Sequence, residues 1–332
     1  MEALPVKVFV NARDLAAVMK SACKIAKPKA MNPVMSHVAV SFDDGLLTIT
    51  ANDGKRTYSE WLKADGDAGR CTIEADKLMR ACMAIGDNEA TLQPESISGG
   101  KSKLQLSSGH YSEFPQPDYE SGTDVAVTAE RLCEVAKELT YATPGNHWRT
   151  MINGLHLGGD CAAATDSFVL AWRKIDYDGK EITIPAESVR HMSGLSGKVS
   201  VSESMLIIEG SSSRFTTTLL GEKYPDWPKM IPKSFDAEVA VNADEFIEAM
   251  KTVQIGGEKA KFDFGDGQVL ISNSGASVTC DCASDAEFSN GFHLQYMIDS
   301  VIAAGRNDVT LKLNSAGPSM IDDQQLIMPV KF

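Results

Sequence analysis

Six stretches of the chain share one layout: Val8-Phe9-Val10-Asn11-Ala12-Arg13-Asp14-Leu15, Cys71-Thr72-Ile73-Glu74-Ala75-Asp76-Lys77-Leu78, Val125-Ala126-Val127-Thr128-Ala129-Glu130-Arg131-Leu132, Ile182-Thr183-Ile184-Pro185-Ala186-Glu187-Ser188-Val189, Val239-Ala240-Val241-Asn242-Ala243-Asp244-Glu245-Phe246 and the more divergent Phe292-His293-Leu294-Gln295-Tyr296-Met297-Ile298-Asp299. Each opens on alternating apolar residues, the period of a strand, and switches at a fixed offset to helical spacing. Asn11, Thr128 and Asn242 stand where a helix needs an N-cap, and acidic residues follow in several first turns, where the helix dipole favours them. With Ala12 as anchor, the copies recur at 75, 129, 186, 243 and 296. One unit of the repeat is therefore about 55 residues long.

The helical stripes can be read directly. Leu15, Val18, Met19, Ala22 and Ile25 form the first, Leu132, Val135, Ala136 and Leu139 the third, and Phe246, Ala249, Met250 and Val253 the fifth. Period-two runs such as Leu46-Leu47-Thr48-Ile49-Thr50, Lys103-Leu104-Gln105-Leu106, Leu206-Ile207-Ile208 and Val309-Thr310-Leu311-Lys312-Leu313 lie between them, divided by turns such as Asp43-Asp44-Gly45 and Gly265-Asp266-Gly267. Each unit is then one helix with about four strands, an α+β pattern. Units this short bury too little surface to stand alone, so pairing them is the economical architecture. Pro115-Gln116-Pro117-Asp118-Tyr119-Glu120-Ser121-Gly122 and Tyr224-Pro225-Asp226-Trp227-Pro228-Lys229-Met230-Ile231-Pro232 break both periodicities. They divide the chain into expected domains at 1–122, 123–232 and 233–332.

Composition excludes several classes. The chain has 332 residues, 43% of them apolar and 23% charged, which rules out generic disorder. No apolar run is long enough to span a membrane, and Met1-Glu2-Ala3-Leu4-Pro5 lacks the features of a signal peptide, so the expected location is the cytoplasm, with no membrane partner. The seven cysteines read as reduced thiols, and Cys280 and Cys282 fall on one face of an alternating strand. The six histidines are scattered, without His-x-x-x-His or His-Glu-x-x-His spacing, and neither a Gly-x-Ser-x-Gly elbow nor a phosphate-binding loop occurs. No metal or cofactor is expected. A catalytic Asp166 at a strand end, within an enzyme of unknown chemistry, is the alternative reading.

The net charge of −13 argues against a surface that coats polyanions as a whole. Its distribution is uneven. The segment 12–29, read as the first helix, carries Arg13, Lys20, Lys24, Lys27 and Lys29 against a single acid, Asp14, with the first four basic residues opposite the apolar stripe. The six helical segments together carry about +3, so the remainder carries about −16. This is the pattern of a helix surface segregated for a polyanion.

Several local motifs lie in register with this repeat. Ala164-Thr165-Asp166-Ser167-Phe168-Val169-Leu170-Ala171, Met151-Ile152-Asn153-Gly154-Leu155, Lys223-Tyr224-Pro225-Asp226-Trp227 and Ile327-Met328-Pro329-Val330-Lys331-Phe332 resemble the Ala-Thr-Asp-Gly-His-Arg-Leu-Ala, aromatic-Leu-Asn-Gly-Met, Arg-Phe-Pro-Asp-Tyr and Val-Met-Pro-Met-Arg-Leu segments of the bacterial DNA polymerase III β subunit, the β sliding clamp family. The resemblance implies three domains of the DNA clamp fold and a non-catalytic processivity factor. It implies a head-to-tail homodimer that closes a ring around double-stranded DNA. The implied partners are the replicative polymerase subunit, the clamp loader, repair polymerases and ligase.

Residue by residue, the resemblance implies DNA contacts at Arg13, Lys20, Lys24, Lys27, Lys29, Arg80, Asn146, Trp148 and Arg149. It implies a partner-peptide pocket from Ile152, Thr165, Ser167, Phe168, Val169, Leu170, Pro225, Lys229, Met230, Leu326, Met328, Pro329 and Val330, and a dimer-interface position at Ile255. A clamp-like interaction protein that does not close into a ring is the other alternative. Two departures stand out: Ser167-Phe168-Val169 replaces Gly-His-Arg, making the pocket rim more apolar, and the region 107–115 is shorter than the family's last strand of the first domain.

Overall fold

The computed structural model describes residues 6–27, 32–117, 120–284 and 286–331. The chain forms two compact units, Met1–Cys133 with His191–Leu219, and Glu134–Arg190 with Leu220–Phe332. All sheet pairings are antiparallel among the described residues, so the fold is α+β as the repeat predicts. No helix among them is long and apolar enough to cross a membrane.

The first unit holds two sheets. One has five strands in the order Asp65–Asp67, Lys7–Asn11, Glu89–Gln93, Ser96–Gly99, Ser102–Gln105. The other has nine, in the order Ser108–Gly109, Gly69–Glu74, His37–Asp43, Leu46–Asn52, Arg56–Lys63, Ser213–Thr218, Met205–Glu209, Lys198–Val201, Thr123–Thr128. The second unit is built on one twelve-stranded sheet: Ile182–Pro185, Gly154–Gly158, Cys161–Thr165, Val169–Lys174, Gln325–Ile327, Ser319–Ile321, Asp308–Leu313, Ala237–Asn242, Ser277–Ala283, Gln268–Ser272, Lys259–Gly265, Phe288–His293.

The helices are α1 (Ala12–Ala22), α2 (Ala75–Ile85), α3 (Ala129–Leu139), α4 (Ala186–Val189), α5 (Ala243–Gln254) and α6 (Leu294–Ala304). Their apolar stripes are buried as the spacing predicts: Leu15, Val18, Met19 and Ala22 in α1, and Phe246, Ala249, Met250 and Val253 in α5. The caps form as well. Asn11 Oδ1 accepts from the Arg13 and Asp14 amides, Asn242 Oδ1 from Glu245, and Thr128 Oγ1 from Arg131.

Three sequence expectations are corrected. The first helix ends at Ala22 and not near residue 29, because the chain tightens into i to i−3 turns, with Lys24 donating to Ser21 O and Ile25 to Ala22 O. Lys24 and Lys27 therefore lie beyond the helix, and Lys29 lies outside the described residues. The fourth helix covers four residues only; Gly194 (φ +87°) and Gly197 (φ +114°) take the chain out of helical conformation soon after it. The sixth helix opens at Leu294, two residues ahead of the anchor placed on Tyr296, whereas the other five anchors are each the first residue of their helix.

The pairing within the repeat follows one rule. The strand that opens each half-unit pairs with a strand of the sister half: Lys7–Asn11 with Glu89–Gln93 and Gly69–Glu74 with His37–Asp43. Thr123–Thr128 pairs with Lys198–Val201 and Ile182–Pro185 with Gly154–Gly158. Ala237–Asn242 pairs with Asp308–Leu313, and Phe288–His293 with Lys259–Gly265. This reciprocal exchange gives each half-unit the apolar surface it lacks alone.

A second repeat is visible in one loop. Between Leu46–Asn52 and Arg56–Lys63, Asp53 Oδ1 accepts from the Lys55 and Arg56 amides while its own amide donates to Arg56 O. Between Cys161–Thr165 and Val169–Lys174, Asp166 Oδ1 accepts from Phe168 and Val169 and its amide donates to Val169 O. Between Gln268–Ser272 and Ser277–Ala283, Asn273 Oδ1 accepts from Gly275 and Ala276 and its amide donates to Ala276 O. The residue after the Asp is left-handed in the first two loops: Gly54 at φ +85°, Ser167 at φ +79°.

Candidate functional site

In the second unit, Val169–Lys174 pairs with Gln325–Ile327 in the register Val169↔Ile327, Leu170↔Leu326, Ala171↔Gln325. Beneath this seam lies an apolar cluster of Ile152, Ala163, Leu170, Trp172, Tyr224, Trp227, Met320 and Leu326, with the Trp172 and Trp227 ring centres 5.4 Å apart. Above it opens a cavity of about 160 Å³.

Ten of the thirteen residues expected at a peptide pocket line it: Ile152, Thr165, Ser167, Phe168, Val169, Leu170, Pro225, Met230, Leu326 and Met328. Lys229 does not; it is exposed and ion-paired with Asp226 at 2.5 Å, which raises its pKa. Pro329 and Val330 lie past the lining, where the Val330 amide donates to Gly291 O at 2.8 Å. Two lining residues escaped the sequence reading of the pocket: Pro318, and Arg149, which was placed among DNA contacts.

The rim is held by the turn at Asp166. Thr165 Oγ1 donates to Val169 O at 2.7 Å and accepts from the Ser167 amide. The Met328 amide donates to Phe168 O at 2.8 Å, which ties the chain terminus to the same loop. Asp166 is thus a structural acceptor, which answers the sequence-based alternative of a catalytic carboxylate at this strand end. Among the described residues, no group of three or more His, Cys, Asp or Glu side chains is arranged to hold a metal ion.

The motif Met151-Ile152-Asn153-Gly154-Leu155 also has a physical role. The Asn153 side chain accepts from the His147 amide at 2.6 Å and donates to His147 O at 2.8 Å, fixing the loop that displays Asn146, Trp148 and Arg149. Gly154 is required because a Cβ there would stand 2.2 Å from Ile184 O. Trp148 is 78% exposed, and the Arg149 guanidinium sits 4.6 Å from its ring centre.

In the first unit, α1 packs against α2 and carries exposed Arg13 and Lys20; Lys24 and Lys27 follow, also exposed. Not all of these cations are uncommitted. Arg13 is 3.6 Å from Asp87, Arg80 is 2.6 Å from Asp76, and Lys24 Nζ donates to Ser193 O at 3.3 Å. Ile255, the expected interface residue, follows α5 and is 88% exposed.

The first unit contains the counterpart of the rim turn without its apolar character. Arg56 opens its strand as Val169 opens its own, pairing there with Thr217, and its side chain is buried. Its guanidinium bonds to the Asp53 carboxylate and lies 3.2 Å from His191 Nδ1. Burial works against the Asp53 carboxylate, yet Arg56 holds its pKa below the usual range. A hydrogen-bonded arginine is buried where the second unit has a short valine beside a cavity.

Comparison with known proteins agrees with this geometry. Residues 6–120 match the family model of the DNA polymerase III beta subunit, N-terminal domain. The chain is 20% identical to the Beta sliding clamp of Bacillus subtilis, with 98% of this chain and 99% of that one aligned, and 22% identical to that of Pseudomonas aeruginosa, over 90% and 93%. Among solved structures it is similar to a DnaN sliding clamp from Bartonella birtlesii bound to griselimycin, with a TM-score of 0.92 at 20% identity, covering 99% of this chain and 100% of that one. It is also similar to the Helicobacter pylori beta clamp bound to a DNA ligase peptide, with a TM-score of 0.86 at 18% identity over 98% and 100%. The sixfold repeat and these matches along nearly the whole length give the chain the fold of the beta sliding clamps, with residues 6–120 matching the N-terminal domain of the DNA polymerase III beta subunit.

Proposed function

We propose that the chain is a DNA sliding clamp: a non-catalytic processivity factor that closes as a head-to-tail homodimer around duplex DNA and tethers the replicative polymerase. Its three domains are 1–122, 123–232 and 233–332, and it works in the cytoplasm. The observation that carries this reading is the apolar cleft at the seam of Val169–Lys174 and Gln325–Ile327, built by residues in register with the family's peptide pocket. The strand exchange within each pair of half-units supports the three-domain division. The Helicobacter pylori clamp, solved with a ligase peptide, supports a peptide-receiving role for this cleft, and the clamp loader and repair polymerases are partners of the same kind.

The physical logic is topological. A closed ring holds DNA without gripping it, so contacts to phosphates can stay weak, mobile and independent of sequence. Arg13, Lys20, Lys24, Lys27, Lys29, Arg80, Asn146, Trp148 and Arg149 are the proposed contacts, and the internal ion pairs of Arg13 and Arg80 temper their attraction. Ile255 is proposed to meet the partner protomer. Sedimentation at micromolar concentration tests ring closure: the expected mass is twice the 35.8 kDa of the chain, and a monomer at that concentration would refute it.

A further inference from the structure

Phe168 is a large apolar side chain left 54% exposed at the rim of the cleft, and its position is fixed from several sides. Its amide donates to Asp166 Oδ1 at 2.9 Å, its carbonyl accepts from the Met328 amide at 2.8 Å, and the preceding Ser167 is held in a left-handed conformation. Its ring stacks on Tyr296, with centres 6.1 Å apart and planes 16° from parallel. Tyr296 is in turn hydrogen-bonded to the Asp166 carboxylate and flanked by the His293 ring at 4.9 Å. One carboxylate therefore positions both the backbone of the upper ring and the hydroxyl of the lower one.

An exposed ring held this way binds at low entropic cost, because little freedom remains to be lost. It is also continuous with the cleft, since Phe168 lines the cavity. The cavity volume of about 160 Å³ is close to that of an apolar site that takes one benzene-sized group. Any second large side chain of a partner has to rest outside it, where the Phe168 ring is the exposed aromatic surface of the lining, beside the half-exposed Met230 and Met328.

We propose that Phe168, positioned by Tyr296, is a specificity-determining residue of the cleft and selects partner peptides that carry an aromatic side chain beside their pocket-filling apolar residues. This rests on the reading of the cleft as a peptide site. It assigns to this chain a preference that the His of the family segment would not impose in the same way, because a neutral phenyl ring offers an apolar stacking face without a polar edge.

The test is fluorescence anisotropy on the full chain, with fluorescein-labelled decapeptides that share a Leu-Leu core. Trp is placed at each flanking position in turn and compared with an all-Ala-flank parent. The expected result is one flanking position at which Trp tightens binding about threefold to tenfold. Phe168→Ala should bring the Trp and Ala peptides within twofold of each other. Phe168→Tyr should keep the preference, and Tyr296→Ala should weaken it with Phe168 intact. A Trp preference that survives in Phe168→Ala, or a wild-type chain that binds the Ala parent and shows no Trp preference, overturns the inference alone. Failure of every Leu-Leu peptide to bind overturns the peptide reading of the cleft and this inference with it. Near-UV circular dichroism of each variant verifies that the chain is folded.

Discussion

Replacing Met328 with Glu isolates the cleft from the fold. Met328 is 41% exposed, and its backbone amide, not its side chain, makes the bond to Phe168 O. The carboxylate of Met328→Glu stays hydrated in the free protein, so the stability change should be within about 0.5 kcal/mol, as for ordinary surface substitutions. A bound peptide changes this. Fully burying a Met side chain yields about 1.5–3 kcal/mol, and the exposed two-fifths of Met328 would contribute about 1 kcal/mol of it. Forcing a carboxylate against an apolar ligand adds about 2 kcal/mol, part of which Arg149 on the same lining offsets. The sum corresponds to a weakening of about 10-fold to 100-fold. The assay is anisotropy with the Leu-Leu peptide, run beside Met328→Leu, expected to lie within threefold of wild type, and Met83→Glu on exposed α2, expected to change nothing. Wild-type affinity in Met328→Glu, with the peptide bound normally by the parent chain, would refute the placement of the site.

Arg173 is 6% exposed and donates to Glu138 at 2.7 Å, Trp172 O at 2.9 Å and Ala303 O at 2.7 Å. Arg173→Met should therefore cost roughly 3 kcal/mol, read as a lower urea midpoint, and an unchanged midpoint would contradict a stabilising role for these three bonds. Ser167→Gly relieves a left-handed side-chain residue at φ +79° and should stabilise the chain by about 0.5 kcal/mol, whereas Ser167→Val should destabilise it; the reverse order in thermal denaturation would be inconsistent with the turn. His156 is buried, stacked on Tyr224 at 4.4 Å, and burial lowers its pKa below the ordinary 6.5. Its unfolded state binds the proton more readily, so the stability it contributes is full above pH 6.5 and is lost as pH falls through the lower folded value. The urea midpoint should drop between pH 7 and pH 5, less steeply in His156→Phe; equal slopes in the two proteins would count against this assignment.

The half-unit was legible in the sequence because the switch from period two to period 3.6 is local and recurs with its caps. The ends of α1 and α4 were not, since basic and apolar residues continue past both while the backbone hydrogen bonds turn to a tighter pattern. The exchange of opening strands left no mark in periodicity, because a strand alternates in the same way whichever sheet it joins. The cleft could be placed only through its register with a family. Its residues are an Ala-Thr-Asp turn, a Pro linker and a terminal strand, each ordinary alone and more than 50 residues apart in places. Arg149 was not expected in the cleft because an Arg beside an exposed Trp reads as surface; the loop that carries it is fixed by the Asn153 side chain, which bonds to the His147 amide and carbonyl. Pro318 sits in a turn that carries no periodic signal. The Asp and Asn turns at Asp53, Asp166 and Asn273 were present in the sequence as Asn-Asp-Gly, Thr-Asp-Ser and Ser-Asn-Ser, but divergence at all three positions hid their equivalence.

The central claim is retention of DNA by enclosure. The direct measurement loads the full chain with a clamp loader onto nicked circular duplex, removes free protein by gel filtration, and follows the protein that stays with the DNA before and after a single restriction cut. Stable retention on the circle, prompt loss on linearisation and faster loss from the circle when Lys20 and Lys24 are neutralised are the predicted results. Equal retention on circular and linear DNA, or no retention on either once loading is catalysed, would contradict a ring that holds DNA by topology.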